Sequence, residues 1–415
     1  MTSGTKLNSL CLLGRWDAED PAGNFMGWRD RRGNHLEGLF DIQDILSKVS
    51  TLGDGTARDT CGWSESRQLS SIDVVKSIAK NGLYKSSTPS GTCTLFKTLY
   101  TNACGFDCAY CVNSARNTET YSYTPEEVAS IFHALSTKKL AQGLFLSSAM
   151  GRDPETTMDA MIQSVEILRT KYAFQGYVHL KILPGASRYQ VERAAQLADR
   201  VSVNVEEPSS SRLGEVCAVK DYRVDILRRQ AWVKELDYNL PSGQATQFII
   251  GATDETDWEI MSRMHYLYQE MQMRRIYYSA FEPVAETKLQ SRNATPSWRE
   301  RRLYQVDWLY RVYHYHMEEI SEALVDDFLP NADPKITLAH LYLDRPVEVN
   351  EASMKELLRI PGIGPRSAKR IIELRRNGTR IRSGRQLADM GVVVRRAQAF
   401  LKVDGNCQST LKGWF

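Results

Sequence analysis

Residues 93–111 read CTLFKTLYTNACGFDCAYC. The first eight, Cys93 to Tyr100, are rich in Thr, Leu, Phe and Tyr and predict a strand. The chain then enters a loop that gathers Cys104, Cys108 and Cys111, separated by three and then two residues. Active sites of parallel α/β barrels lie in the loops that leave the C-terminal ends of the strands. A strand that empties into three thiols therefore places chemistry at a barrel mouth.

Working outward, further strand candidates lie at 143–149, 177–183, 200–206, 246–252 and 275–281. Between them run helical stretches at 125–136, 156–172, 188–198, 222–236 and 256–271, and Thr124-Pro125 reads as a capped helix start. Strands alternating with helices of this length predict an α/β fold with a parallel sheet of βαβ units. Six such units, fewer than the eight of a closed barrel, point to an open or partial (β/α)6 barrel.

A structural zinc site takes four protein ligands, and iron–sulfur clusters usually take four thiolates. Three thiolates leave one iron of a cubane open, which suits a site that must bind and activate something. A zinc site completed by a distant His, or a cluster completed by Cys93 or Cys61, remains open from spacing alone. The five other cysteines (Cys11, Cys61, Cys93, Cys217 and Cys407) stand singly and read as small buried hydrophobes.

Cys104-x3-Cys108-x2-Cys111, with Tyr110 before the last cysteine and a strand before the loop, resembles the signature of radical S-adenosylmethionine (SAM) enzymes. The resemblance implies that the three thiolates hold a [4Fe–4S] cluster, that its fourth iron binds SAM, and that reductive cleavage yields a 5′-deoxyadenosyl radical. It also implies that Tyr110 packs near the adenine. Ser147 and Ser148 stand where the family meets the SAM amino group, although the usual Glu is missing. Lys181 is placed to pair with the SAM carboxylate, as in the spore photoproduct lyase branch. Ser202, Asn204 and Glu206 become candidates for the ribose and methionyl groups, and Gly251 for close backbone approach to the adenine. Tyr277, Tyr278 and Cys217 are candidate hydrogen or radical relays.

The chain has 415 residues, 42% of them hydrophobic and 25% charged, in the range of soluble globular proteins. Its longest apolar runs are too short to span a bilayer, and Arg15, Asp17, Glu19 and Asp20 interrupt any secretory pattern, so a cytoplasmic location in a bacterial or phage-infected cell is expected. The net charge of +3 is unevenly spread. Glu351–Phe415 holds 14 Lys and Arg against 5 Asp and Glu, a local +9 on a body that carries −6, the footprint of a nucleic-acid module.

Within that basic tail, NEASMKELLRIPGIGPRSAKRIIELRR (350–376) resembles a helix-hairpin-helix motif. Gly362, Ile363 and Gly364 form the turn, and the helix opening at Pro365 favours an anion at its N-terminus. Arg366, Lys369, Arg375 and Arg376 supply flanking charge for a phosphate backbone. LADMGVVVRRAQAF (387–400) echoes LRIPGIGPRSAKRI (358–371), with Gly391 matching Gly362, Ala397 matching Ala368 and Val393 replacing the second glycine, which predicts a second, structural copy.

The expected domains are an extension at 1–40, a helix and loop at 41–91, the barrel at 92–290, a helical region at 291–345 packing on the barrel, and a small all-α helix-hairpin-helix domain at 346–415. Residues 296–325 read as one helix rich in Trp, Tyr and Arg. The stretches LYTNACGFDCAYCVN, GYVHLKILPGAS and QATQFIIGATDETDWEIM resemble a radical SAM subfamily linked to DNA modification or repair and to a uracil-DNA-glycosylase-like partner. Its phage relatives are associated with hypermodified thymine. The expectation is an enzyme that rearranges a substituent on a pyrimidine in DNA, served by an electron donor such as flavodoxin or ferredoxin. A photoproduct lyase, a tRNA-modifying enzyme and a non-catalytic DNA-binding iron–sulfur protein are the alternatives.

Overall fold

A computed structural model describes residues 42–54, 56, 82–88, 91–114, 120–236 and 240–407. The extension at 1–40, Cys11 and Cys61 lie outside the described residues. By internal packing the chain divides into two units, one formed by residues up to Thr253 with Leu267–Ala294, the other by Asp254–Tyr266 with Thr295–Phe415. Of the helical region expected at 291–345, the residues from Thr295 onward fall in the same unit as the C-terminal residues.

In the first unit, helix α1 (Ile42–Asp54) precedes strand β1 (Leu83–Thr88), which pairs antiparallel with β2 (Gly91–Leu99). The chain then alternates through α2 (Pro125–Thr137), β3 (Gly143–Ser147), α3 (Pro154–Thr170), β4 (Tyr177–Lys181), α4 (Arg188–Leu197) and β5 (Arg200–Ser202). There follow α5 (Ser210–Val216), a π-helical stretch at Tyr222–Leu227 leading into α6 (Arg228–Glu235), β6 (Gln244–Ile250), α7 (Asp257–Gln269), most of which belongs to the second unit, and β7 (Arg275–Ala280). The sheet runs in order from β1 to β7, and β2 to β7 are all parallel, the curled partial barrel that six βαβ units predict. The antiparallel β1 was not foreseen; its segment LYKSST shows no apolar alternation.

Helix starts follow local chemistry. Thr124 and Glu127 form a capping box before α2, and Ser187 and Gln190 form one before α4. The parallel strands are buried on both faces, as in all five residues of β3, which is why they read as apolar runs and not as alternation. The register aligns the strand ends, with Leu99 opposite Ser147, Lys181 opposite Ser202 and Ile250 opposite Ala280. β3, β4, β5 and β7 are shorter than expected, β5 most of all: it stops at Ser202, and Glu206 sits at φ 63°, bridged to Phe248.

The second unit contains α8 (Ser297–Tyr313), α9 (Met317–Ser321) and α10 (Pro334–Tyr342). The single helix expected over 296–325 breaks at His314, which turns left-handed at φ 57°. Next come β8 (Val347–Glu348), α11 (Met354–Arg359), α12 (Pro365–Arg376), α13 (Gly384–Asp389), α14 (Val394–Ala397), β9 (Leu401–Val403) and β10 (Asn406–Cys407). The tail is helical, as expected, and adds a short three-stranded sheet in the order β10-β9-β8. Its core includes Leu357, Ile360, Ile363, Ala368, Ile371, Leu387 and Ala397.

Candidate active site and candidate nucleic-acid hairpin

A cavity of about 170 Å3 opens at the C-terminal ends of the parallel strands. Cys104, Cys108 and Cys111 all line it, with Phe106, Tyr110, Ser148, Met150, Lys181, Asn204, Glu206, Lys220, Gln247 and Glu282. The loop that presents the thiols is tied from three sides. Cys104 forms a parallel bridge with Gly151, where Gly151 N donates to Ala103 O at 2.9 Å and Gly105 N to Gly151 O at 3.2 Å. Ala109 N donates to Val216 O at 2.7 Å, anchoring the loop to the end of α5. Leu289 N donates to Ala109 O at 3.2 Å.

Gly151 is a glycine for two reasons: its φ is 65°, and a Cβ there would collide with Thr157 Oγ1. No loop residue elsewhere in the sequence announces that Gly151 positions Cys104.

The electrostatics of the cavity centre on one buried lysine that sequence reasoning missed. Lys220 follows α5, its side chain is 8% exposed, and its Nζ lies 3.7 Å from Glu206 Oε1. Burial opposes its charge, but Cys108, Glu206, Cys217 and Cys111 together hold its pKa above the ordinary lysine value. The Cys217 thiol, 3.4 Å from Cys108 Sγ, brings the Cys108 pKa down to about 6 against burial, with help from Lys220. Burial pushes Cys111 up to about 12, and burial likewise raises Tyr110.

Of the expected cofactor contacts, Tyr110, Ser148, Lys181, Asn204 and Glu206 stand on the cavity wall. Ser147 is buried next to it, and its carbonyl accepts from Tyr100 N at 2.7 Å. Ser202 Oγ bonds His179 Nε2 at 2.9 Å inside the sheet, and the Gly251 carbonyl accepts from Arg292 Nε at 2.7 Å. Neither is among the wall residues.

The three candidate relays do not reach the wall. Tyr277 Oη accepts from Arg200 Nη1 at 2.9 Å, and Tyr278 is fully buried in a stack with Phe248. Cys217 sits behind the cysteine loop, facing Cys108 and Asp107 Oδ1, the latter at 3.5 Å. In each case burial against the loop or the sheet, and not against the cavity, is the reason.

The donor set decides between a single ion and a cluster. Among the described residues the cavity wall carries three cysteines and no histidine, a soft thiolate set that suits an iron–sulfur cluster. Cys93 cannot complete the set: it lies at the start of β2, six residues or about 20 Å before Leu99. Two buried polar atoms on the wall, Tyr110 Oη and Ser148 Oγ, have no protein hydrogen-bond partner, as expected where a polar group is to bind. The residues therefore fit a cubane with one open iron and a polar co-substrate beside it.

In the second unit the tail turns at Gly362, φ 86°, and again at Gly391, φ 85°. Val393 N donates to Gly362 O at 2.9 Å, so the two copies meet at their turns. Helix α12 begins at Pro365 with no side-chain cap, which leaves its first amides without intrahelical acceptors. Arg366, Lys369 and Arg376 are exposed. Ile363, expected among the contacts, is instead a core residue, and the Arg375 guanidinium is held by the carbonyls of Val349 and Ala352.

The model of the radical SAM superfamily matches residues 98–267, and that of a helix-hairpin-helix motif matches residues 344–393. Residues 98–267 thus form a radical SAM domain and residues 344–393 a helix-hairpin-helix motif, and radical SAM domains use a [4Fe–4S] cluster and SAM. Among solved structures, the chain is similar to HydG, a maturase of the [FeFe]-hydrogenase, at 12% identity and TM-score 0.42, over 66% of this chain and 62% of that one. It is also similar to methylornithine synthase (PylB), at 13% identity and TM-score 0.40, over 66% and 74%. The methyltransferase TsrM from Kitasatospora setae aligns at 12% identity and TM-score 0.37, over 58% and 42%. The chain spans about three fifths of the length of HydG. No curated protein matches it. Among the described residues no helix is long and apolar enough to cross a membrane.

Proposed function

We propose that this enzyme modifies a pyrimidine base in DNA, rearranging a substituent of a hypermodified thymine. The observation that carries the reading is the presence, in one chain, of a three-thiol cavity at the strand ends and a basic hairpin with an uncapped helix start. When bound, the cluster and SAM supply the radical that takes a hydrogen atom from the substrate.

The chain's own residues do the rest. Cys104, Cys108 and Cys111 hold the cluster. Lys220 and Lys181 offer ammonium groups to the SAM carboxylate. Ser148, Asn204 and Glu206 offer acceptors to its amino and hydroxyl groups, and Tyr110 an aromatic face to the adenine. Met150, Leu183 and Phe281 line the wall with apolar surface that excludes water. The first amides of α12, with Arg366 and Lys369, take a backbone phosphate without reading a base, and Arg376 at the far end of the helix meets a neighbouring phosphate. A base in a duplex cannot enter a strand-end cavity, so it must be flipped or presented in a single strand. A flavodoxin or ferredoxin as electron donor and a uracil-DNA-glycosylase-like or other DNA-modification protein belong to this reading as partners. A lyase that returns hydrogen from a thiol would want that thiol on the wall, and Cys217 faces Cys108 instead.

The test is anaerobic reconstitution of the cluster, followed by SAM and dithionite with and without DNA carrying hypermodified thymine. Formation of 5′-deoxyadenosine that rises with DNA and vanishes in Cys108→Ala supports the reading. Cleavage that is indifferent to every DNA offered overturns the substrate assignment.

A further inference from the structure

Beneath the PGIGP turn lies a cation that the hairpin motif itself does not contain. Lys335, the second residue of α10, precedes the matched stretch 344–393. It is 7% exposed, its Nζ donates to the Ile363 carbonyl at 2.7 Å, and it stands 4.1 Å above the Tyr313 ring. Among the described residues no carboxylate lies within ion-pair distance of it. Asp333, the nearest acid on its helix, accepts from the amides of Lys335 and Ile336 and pairs with Arg396 at 2.5 Å.

Two consequences follow from elementary geometry and electrostatics. In a trans peptide the C=O and N–H point in opposite directions, and there is no cis peptide among the described residues. With the Ile363 carbonyl drawn toward Lys335, the Gly364 amide of the same peptide points away from it, on the side where α12 begins. A buried ammonium with no carboxylate is costly, and an anion arriving on the far side of the turn offsets that cost.

We propose that Lys335 is a buried positioning and charge element of the hairpin's phosphate site, holding the Gly364 amide outward and taking up a proton when a nucleic-acid phosphate binds. This rests on the nucleic-acid reading of the tail. Burial, with repulsion from Arg396 and against attraction from Asp333, brings the Lys335 pKa down to about 7. The free protein is then increasingly neutral at this position above pH 7, while the phosphate-bound form stays charged. Affinity therefore falls as pH rises. Other groups near this part of the unit are Tyr313 of α8, the Arg359–Glu319 pair, Arg366 and Arg370 of α12, Asp333 and His340 of α10, and Arg396 of α14. His340 packs on Phe400, and His314 and His316 follow α8. The three histidines are the controls for the pH dependence.

The experiment uses the full chain and a short fluorescent DNA duplex, with anisotropy measured from pH 6.0 to 8.5 at constant ionic strength. Uptake of one proton permits at most about tenfold per pH unit, and a wild-type loss of five- to tenfold over the range is expected. Lys335→Met should bind about tenfold more weakly at pH 6.0 and show no slope, with an unchanged circular dichroism spectrum. Arg366→Ala should weaken binding at every pH and keep the slope. A His314→Gln, His316→Gln, His340→Gln triple variant should also keep it, which tests the idea even if Lys335→Met misfolds. A slope that survives Lys335→Met or disappears with the histidines overturns the role of Lys335 while leaving DNA binding standing. No DNA binding by the wild type at any pH sinks the nucleic-acid reading and this proposal together.

Discussion

The Lys220 ammonium lies 3.7 Å from the Glu206 carboxylate on the wall that the three cysteines share. Glu206 reaches that place from a left-handed backbone position just past the end of β5, and Lys220 from the loop after α5. Two elements separated in sequence thus deliver one buried ion pair to the cavity.

Removing one partner of a buried pair strands the other charge. Lys220→Met is expected to lower stability by about 3 kcal/mol, and Lys220→Met with Glu206→Gln to recover most of it. Denaturant titration of the cluster-free chain reads both. In the cluster-loaded protein, Lys220→Met should weaken SAM binding roughly ten- to hundredfold while iron content stays the same, since a hydrogen bond to a charged group contributes about 1.5–3 kcal/mol. Calorimetric titration that shows wild-type SAM affinity would remove Lys220 from the SAM site.

Gly151→Ala should act at a distance from the thiols it serves. The backbone there is left-handed and a Cβ would strike Thr157 Oγ1, so about 1–3 kcal/mol of strain is expected. Relief of that strain must shift the segment bridged to Cys104, and the variant should hold less than the full iron and sulfide complement. A variant that loses stability but loads a complete cluster would show that the bridge does not position Cys104.

Cys217→Ala separates ligand from neighbour. Cys217 faces Cys108 and not the cavity, so the cluster should assemble at wild-type stoichiometry, whereas Cys108→Ala should abolish it. Loss of the S–H donor to the Cys108 thiolate should make the cluster's midpoint potential more negative. A redox titration followed by electron paramagnetic resonance checks this; an unchanged potential means that the thiol donates to Asp107 instead.

Gly362→Ala tests the contact between the hairpin copies. The position has φ 86°, and a Cβ would press on the Val393 carbonyl, which belongs to the second copy. A destabilisation of about 1–3 kcal/mol is expected, with weaker DNA binding at all salt concentrations. If stability falls and DNA affinity does not, the first turn is structural and the phosphate site lies elsewhere.

Much of this architecture was legible in the chain because it rests on local patterns. The βαβ alternation, the thiol spacing after β2 and the PGIGP turn each sit within one continuous segment, where periodicity and spacing carry the signal. β1 was missed because LYKSST has no apolar alternation, and the break at His314 because nothing short-range distinguishes a left-handed histidine from a helical one. That Tyr277, Tyr278 and Cys217 stand off the cavity wall was not legible for a related cause: a strand or loop position says which residue is near the site, but not which face it presents.

The sequence by itself determined the parallel (β/α)6 class, the three-thiol loop and the hairpin, because short-range spacing and hydrophobic pattern specify them. Only the tertiary structure decided that Lys220 and Glu206 share a wall, that Cys217 turns to Cys108, and that Lys335 lies under the Ile363 carbonyl. Those pairs are separated by 14, 109 and 28 residues. Their meeting depends on strand register and loop closure around a packed core, which no local pattern encodes.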